Sequence, residues 1–136
     1  MNINLNELLL KACEIGNLEA VKLLIDKGAD PAYRNNYAIA WASNDGHKEI
    51  VELLLKDKRV NPGQDNAAII WSSEEGHKNI VELLLKDKRV NPADRDNEAI
   101  LYASTKGHKE IVKLLIKHPK VRDSLTKEEI EKYENM

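Results

Sequence analysis

The chain has 136 residues, 42% of them hydrophobic and 32% charged, with a formal net charge of −2 at pH 7. This balance describes a soluble globular chain, neither disordered nor membrane-spanning, and offers no global reason to expect nucleic acid. Cys13 is the single cysteine, so there is no disulfide framework and a reducing, cytoplasmic setting fits. The start, Met1 to Glu7, has no basic region or apolar signal core.

Asn4 opens the first predicted helix as an N-cap residue, with Glu7 three positions on. Leu5, Leu8, Leu9, Ala12 and Cys13 follow at helical spacing, and Gly16 ends the helix. Asn17 can cap a second helix at once. Its apolar face is Leu18, Val21, Leu24 and Ile25, and Gly28 terminates it. Ala29-Asp30-Pro31 leads out extended, since a residue before proline avoids the α region.

The plan then repeats. Asn35-Asn36, Asp65-Asn66 and Asp96-Asn97 are polar pairs suited to capping a short first helix. Gly46-His47, Gly76-His77 and Gly107-His108 form turns, and apolar second helices follow. Glu52–Lys56 and Glu82–Lys86 are i,i+4 pairs in the favourable orientation. Val51 to Pro62 matches Val81 to Pro92 residue for residue, and Gly16, Gly46, Gly76 and Gly107 stand 30, 30 and 31 apart. A fixed period of this size means stacked repeats, each an antiparallel helix pair that buries its apolar side only against neighbours. The units are placed at 4–34, 35–64, 65–95 and 96–123 of a single domain. A capping helix is expected at about 125–135, because Thr126 and Glu129 form a capping box and Leu125 and Ile130 a hydrophobic staple.

The motif Ala-x-x-x-Gly-His-x-x-Ile-Val-x-Leu-Leu-Leu, read at Ala42 to Leu55 and again with Ser72 in place of the Ala, resembles the ankyrin repeat. Ala12 to Asp30 is closer still to that family's form, and the resemblance covers about residues 5 to 123. It implies an all-α solenoid of stacked helix pairs whose loops and first helices line a concave, partner-binding face. The usual period is about 33 and the usual opening Thr-Pro-Leu-His. Here Tyr37 to Ala40, Ala67 to Ile70 and Glu98 to Leu101 replace it, and the missing residues come from the inter-unit loop. A stunted loop with little or no strand is expected. The short unit is similar to ankyrin arrays of large DNA viruses and some protists, which implies a viral or intracellular origin.

The sequence supports no enzymatic chemistry. His47, His77 and His108 lie one per unit, too far apart for one zinc, and read as turn residues bonding nearby backbone; His118 reads as a solvated loop residue. Ser43, Ser73, Ser104 and Cys13 read as small packing residues, and no phosphate loop is present. No metal or cofactor is expected. Lys56, Lys58, Arg59 and their counterparts Lys86, Lys88, Arg89 and Lys117, Lys120, Arg122 would stack into a basic stripe. That stripe carries the alternative reading, a nucleic-acid-associated protein with salt-sensitive affinity. Helix C-termini favour cations in any case, so nucleic acid is disfavoured.

The second and third units differ mostly in the loop and first helix: Asn35/Asp65, Tyr37/Ala67, Ala40/Ile70, Ala42/Ser72, Asn44/Glu74 and Asp45/Glu75. That pattern points to a binding face tuned on a fixed scaffold. Its candidate residues are Tyr33, Arg34, Tyr37, Trp41, Asp45, Gln64, Trp71, Glu74, Glu75, Arg95, Tyr102 and Lys106. Acidic residues outnumber basic ones along it, so the expected partner is a protein presenting a basic segment, bound by a monomeric, non-enzymatic inhibitor or adaptor. Trp41, Trp71 and Tyr102 form a ladder on the first helices. Three readings stay open for it: a hot-spot row, rings wedged between units, or a mixed case with one ring face packed and the indole N–H exposed to a partner.

Overall fold

The computed structural model describes residues 4–136; Met1–Ile3, part of the stretch read for a secretion signal, lie outside them. The described residues form four consecutive helix pairs and a tail. The pairs are α1 (Leu5–Ile15) with α2 (Leu18–Asp26), α3 (Tyr33–Asn44) with α4 (Lys48–Leu55), α5 (Ala67–Glu75) with α6 (Lys78–Leu85), and α7 (Asp94–Thr105) with α8 (Lys109–Ile116). The tail is α9 (Pro119–Asp123) and α10 (Lys127–Glu134). A 3-10 turn, Gln64–Asn66, precedes α5, and no strand occurs among the described residues.

First helices stack on first helices and second on second, the first row packing more closely than the second. The side chains explain the difference. Ala12, Ala38, Ala42, Ala68, Ser72, Ala99 and Ala103 are buried on the first row, whereas Ile50, Leu54, Ile80, Leu84, Ile111 and Leu115 fill the second. Interaxial distance follows side-chain size. The small residues let the first helices approach closely, although Leu9, Ile39, Ile69, Ile70 and Ile100 are also buried on them. Cys13, Ser43 and Ser73 are fully buried at the tight joints.

Two helix starts follow the sequence closely. Asn4 Oδ1 accepts from the backbone N–H of Asn6 and Glu7 at 3.0 and 3.2 Å, and Asn17 Oδ1 from Ala20 at 3.1 Å. The polar pairs ahead of α3, α5 and α7 do something else. Arg34, Asn35 and Asn36 take φ of 54°, 55° and 64°, Arg95, Asp96 and Asn97 nearly the same values, and Asp65 and Asn66 51° and 50°. These segments are left-handed turns, so the right-handed part of α3 begins at Tyr37 and that of α7 at Glu98. Asn and Asp tolerate this conformation better than other L-residues. The buried asparagine then closes the loop: Asn36 Oδ1 accepts from Asn61 N–H, and Asn66 Oδ1 from Asn91 N–H, each at 2.7 Å. Asn6 does the same for Asp30 N–H at 2.6 Å. The expected N-caps are therefore loop staples.

The histidines also differ from expectation. His47, His77 and His108 donate through Nε2 to the carbonyls of Glu14, Asn44 and Glu74, at 3.0, 2.9 and 2.9 Å. The accepting carbonyl belongs to the preceding unit, not to nearby backbone. Each ring lies against the glycine that ends that unit's first helix. A Cβ on Gly16, Gly46 or Gly76 would sit 2.5, 2.7 or 2.7 Å from a His ring carbon. On the outer face, Glu52 and Glu82 pair with Lys48 and Lys78 one turn back, at 3.8 and 4.0 Å, rather than with Lys56 and Lys86.

In the tail, His118 caps α9: Nδ1 accepts from Lys120 N–H at 3.2 Å, and the residue is half-buried rather than a solvated loop side chain. Thr126 Oγ1 accepts from Glu129 N–H at 3.1 Å and Glu129 Oε1 from Thr126 N–H at 3.0 Å, completing the capping box of α10. This helix lies against α8, with Leu125 and Ile130 packed on the core and Tyr133 buried.

Candidate functional site

One face of the stack is lined by what α1, α3, α5 and α7 present beside their buried stripes. On α3, Tyr37, Trp41 and Asn44 follow one another at i, i+4 and i+7, so they share a stripe. On α5, Trp71, Glu74 and Glu75 do so at i, i+3 and i+4. Stacking α3 on α5 brings the two stripes together around a depression of ≈ 370 Å³ lined by these six residues. Trp41 and Trp71 stand with ring centroids 5.8 Å apart and planes at 60°; Tyr37 meets Trp41 edge-on at 5.6 Å and 68°. All three rings are half-buried, and Trp71 also packs against the core. The Trp41 and Trp71 rings thus sit in the joint between α3 and α5 and still border open space.

A second depression, ≈ 260 Å³, lies between α1 and α3, lined by Glu7, Leu10, Lys11, Glu14, Arg34, Tyr37 and Trp41. Two of its four charged residues, Glu7 and Arg34, are spent on each other. Glu7 Oε1 accepts from Tyr33 Oη at 2.9 Å and from Arg34 Nη2 at 2.8 Å, and the Arg34 guanidinium lies 5.5 Å from the Tyr33 ring centroid. Tyr33 and Arg34 therefore tie the first two units together at the loop tip. The Glu7 carboxylate does so instead of completing a capping box at Asn4.

The remaining candidates are spread out. Tyr102 is half-buried on α7, one unit beyond Trp71. Asp45 is exposed and accepts from Asn44 Nδ2 at 2.9 Å. Gln64 is half-buried in the 3-10 turn, Arg95 exposed on its left-handed turn, and Lys106 exposed beyond the end of α7. Asn44, noted in the sequence only as a position that differs between units, and Leu10, not singled out there, both belong to the lining. Their helical spacing from Trp41 and Glu7 was the available signal.

The basic stripe is partly neutralised. Arg59 donates to both carboxylate oxygens of Asp57, at 3.1 and 2.8 Å, and Arg89 to Asp87 likewise, at 3.1 and 2.9 Å, and to the Val60 carbonyl at 2.8 Å. These bonds hold the Asp57 and Asp87 carboxyls below the ordinary carboxylate range. Arg122 reaches Glu134 at 3.2 Å. Burial pushes the Cys13 thiol up to about 12, so it is no thiolate nucleophile near neutral pH. Among the described residues no group of three or more His, Cys, Asp or Glu could hold a metal ion, and no helix is long and apolar enough to cross a membrane.

Compared with known families, residues 2–66 and 39–127 match the model described as Ankyrin repeats (3 copies). Among curated proteins, none matches the chain.

Proposed function

We propose, from the premise that this chain belongs to the ankyrin repeat family, that it is a non-catalytic module gripping a basic segment of another protein on its concave face. Members of the family are generally protein–protein interaction modules and typically non-enzymatic. The observation that carries the finer reading is the joint between α3 and α5, where aromatic rings and carboxylates border open space. Aromatic side chains supply contact area at low entropic cost and dominate hot spots, while Glu14, Glu74, Glu75 and Glu98 give the face a negative sign that favours basic partners. The stack and its cap act as one monomeric domain inside a cell. Its effect on the partner is steric, as an inhibitor or adaptor. The arginines of the outer stripe, folded onto Asp57 and Asp87, weaken the nucleic-acid alternative.

Fluorescence anisotropy of labelled probes tests this reading. A basic decapeptide should bind saturably at physiological ionic strength, more tightly than an acidic decapeptide or a duplex DNA of similar length. Glu14→Lys with Glu98→Lys should weaken the basic peptide. Equal binding of the acidic peptide, or tighter binding of the DNA, overturns the proposal.

A further inference from the structure

The three joints between first helices are built from equivalent positions, so the chain supplies its own comparison. At the α3–α5 joint the positions carry Tyr37, Trp41, Trp71, Glu74 and Glu75. At the α5–α7 joint, Ala67 replaces Tyr37, and Thr105 and Lys106 replace the two glutamates. At the α1–α3 joint, Lys11 stands where Trp41 stands in the next unit, and Arg34 brings a cation that Glu7 already holds at 2.8 Å. Three rings with two carboxylates and no cation in the lining therefore occur at one joint of the three. Among the described residues the Glu74 and Glu75 carboxylates form no ion pair with the chain's own Lys or Arg.

We infer that the cleft between α3 and α5 is a subsite for a single arginine side chain of the partner, its guanidinium against the Trp41 and Trp71 rings and its N–H groups on Glu74 and Glu75. This rests on the proposed binding of a basic segment and assigns that segment's anchoring residue. The chemistry selects arginine among cations. A guanidinium is planar and weakly hydrated, stacks on aromatic rings and pairs with carboxylates through a fork of donors. A lysine ammonium is compact and strongly hydrated, so the ring walls offer it less. A trimethylated lysine suits an aromatic cage, but it has no N–H to give the two carboxylates.

Trp41 and Trp71 are the only two tryptophans, so intrinsic emission reports directly on this cleft. The probes are three labelled peptides of identical uncharged sequence around a central Arg, Lys or trimethyl-Lys, together with the basic decapeptide. Anisotropy registers binding anywhere on the protein, and tryptophan emission registers the cleft. The arginine peptide should change the emission saturably and bind about tenfold more tightly than the other two. Glu74→Gln with Glu75→Gln should weaken it about tenfold while leaving the melting temperature unchanged. Equal response to lysine, preference for trimethyl-lysine, or indifference to the glutamine variant overturns the inference. If the basic decapeptide binds by anisotropy with the emission unmoved, the arginine subsite falls and the basic-segment function stands; if it binds by neither readout, both fall.

Discussion

The joint between successive units can be tested with one substitution made at two places. Gly46 and Gly107 both end a first helix at φ +81°. Alanine at either position must hold an L-residue in the left-handed region, a cost of about 1–2 kcal/mol. Only at Gly46 does the new Cβ meet anything, the His77 ring at 2.7 Å; at Gly107 nothing lies within 4 Å. Displacing His77 breaks its bond to the Asn44 carbonyl, and a hydrogen bond of this kind contributes about 0.5–1.5 kcal/mol net. Gly46→Ala should therefore cost about 1 kcal/mol more than Gly107→Ala, or about 4 °C in melting temperature for a chain of this size. Thermal unfolding followed by circular dichroism measures both. The double-mutant cycle with His77→Ala completes the test: once the ring is gone, Gly46→Ala should fall to the cost of Gly107→Ala. Equal shifts at the two glycines, or an excess that survives removal of His77, would refute the latch.

Other outcomes follow from the same geometry. Arg95 is exposed at φ 54°, so Arg95→Gly should stabilise by about 0.5–1 kcal/mol through relief of the left-handed strain; a lower melting temperature contradicts the turn. Trp71 is half-buried, and Trp71→Ala should cost roughly 2 kcal/mol, below the ~3–5 kcal/mol of a fully buried aromatic, while weakening the arginine peptide; full stability with unchanged binding would remove it from both roles. The Asp87 carboxyl titrates below its ordinary range because Arg89 bonds to it. Its contribution is thus complete above the unfolded-state value and lost as pH falls through the lowered folded value. Asp87→Asn should reduce stability near neutral pH and flatten the acid limb, and overlapping curves for the two proteins would show the pair contributes nothing. Deleting Ser124 to Met136 uncovers α8 where Tyr133 and Ile130 pack, so melting temperature and solubility should drop; an unchanged melt makes the tail dispensable.

Much of the fold was legible because it rests on short-range signals. Glycines at a fixed period, caps at Asn4, Asn17 and Thr126, and apolar residues at helical spacing each act within a few residues. The left-handed turns were not legible, because the side chains that favour an N-cap, Asn and Asp, are also those that tolerate φ > 0. At Asn35-Asn36 the choice was made by Asn61, 25 residues on from Asn36. The histidine latches escaped for the same reason, their acceptors lying 33 or 34 residues away. Lys48 and Lys56 were both in reach of Glu52, and spacing alone does not choose between them. At the candidate site, the repeat period put Trp41 and Trp71 at equivalent positions of successive first helices, but the depth of the rings depended on how tightly Ala42 and Ser72 let the helices approach. That distance is a property of the stacked rows and is written in no single unit.

The two sets of bonds that hold this array together have a bearing on how such a protein changes over generations. The asparagine staple is satisfied within a unit, and the histidine latch needs only the unit just before it. A tandem duplication of Asp65 to Arg95 would therefore arrive with its own loop closure, and its histidine would find a waiting carbonyl and a glycine with room for the ring. The two ends differ from this plan: Glu7 ties Tyr33 and Arg34 at the first joint, and Asn97 Nδ2 donates to Ser124 Oγ in the tail rather than closing a further loop. Gain or loss of an internal copy leaves that terminus untouched. The near-identity of the second and third units fits this tolerance, and the inner face can lengthen by one joint at a time.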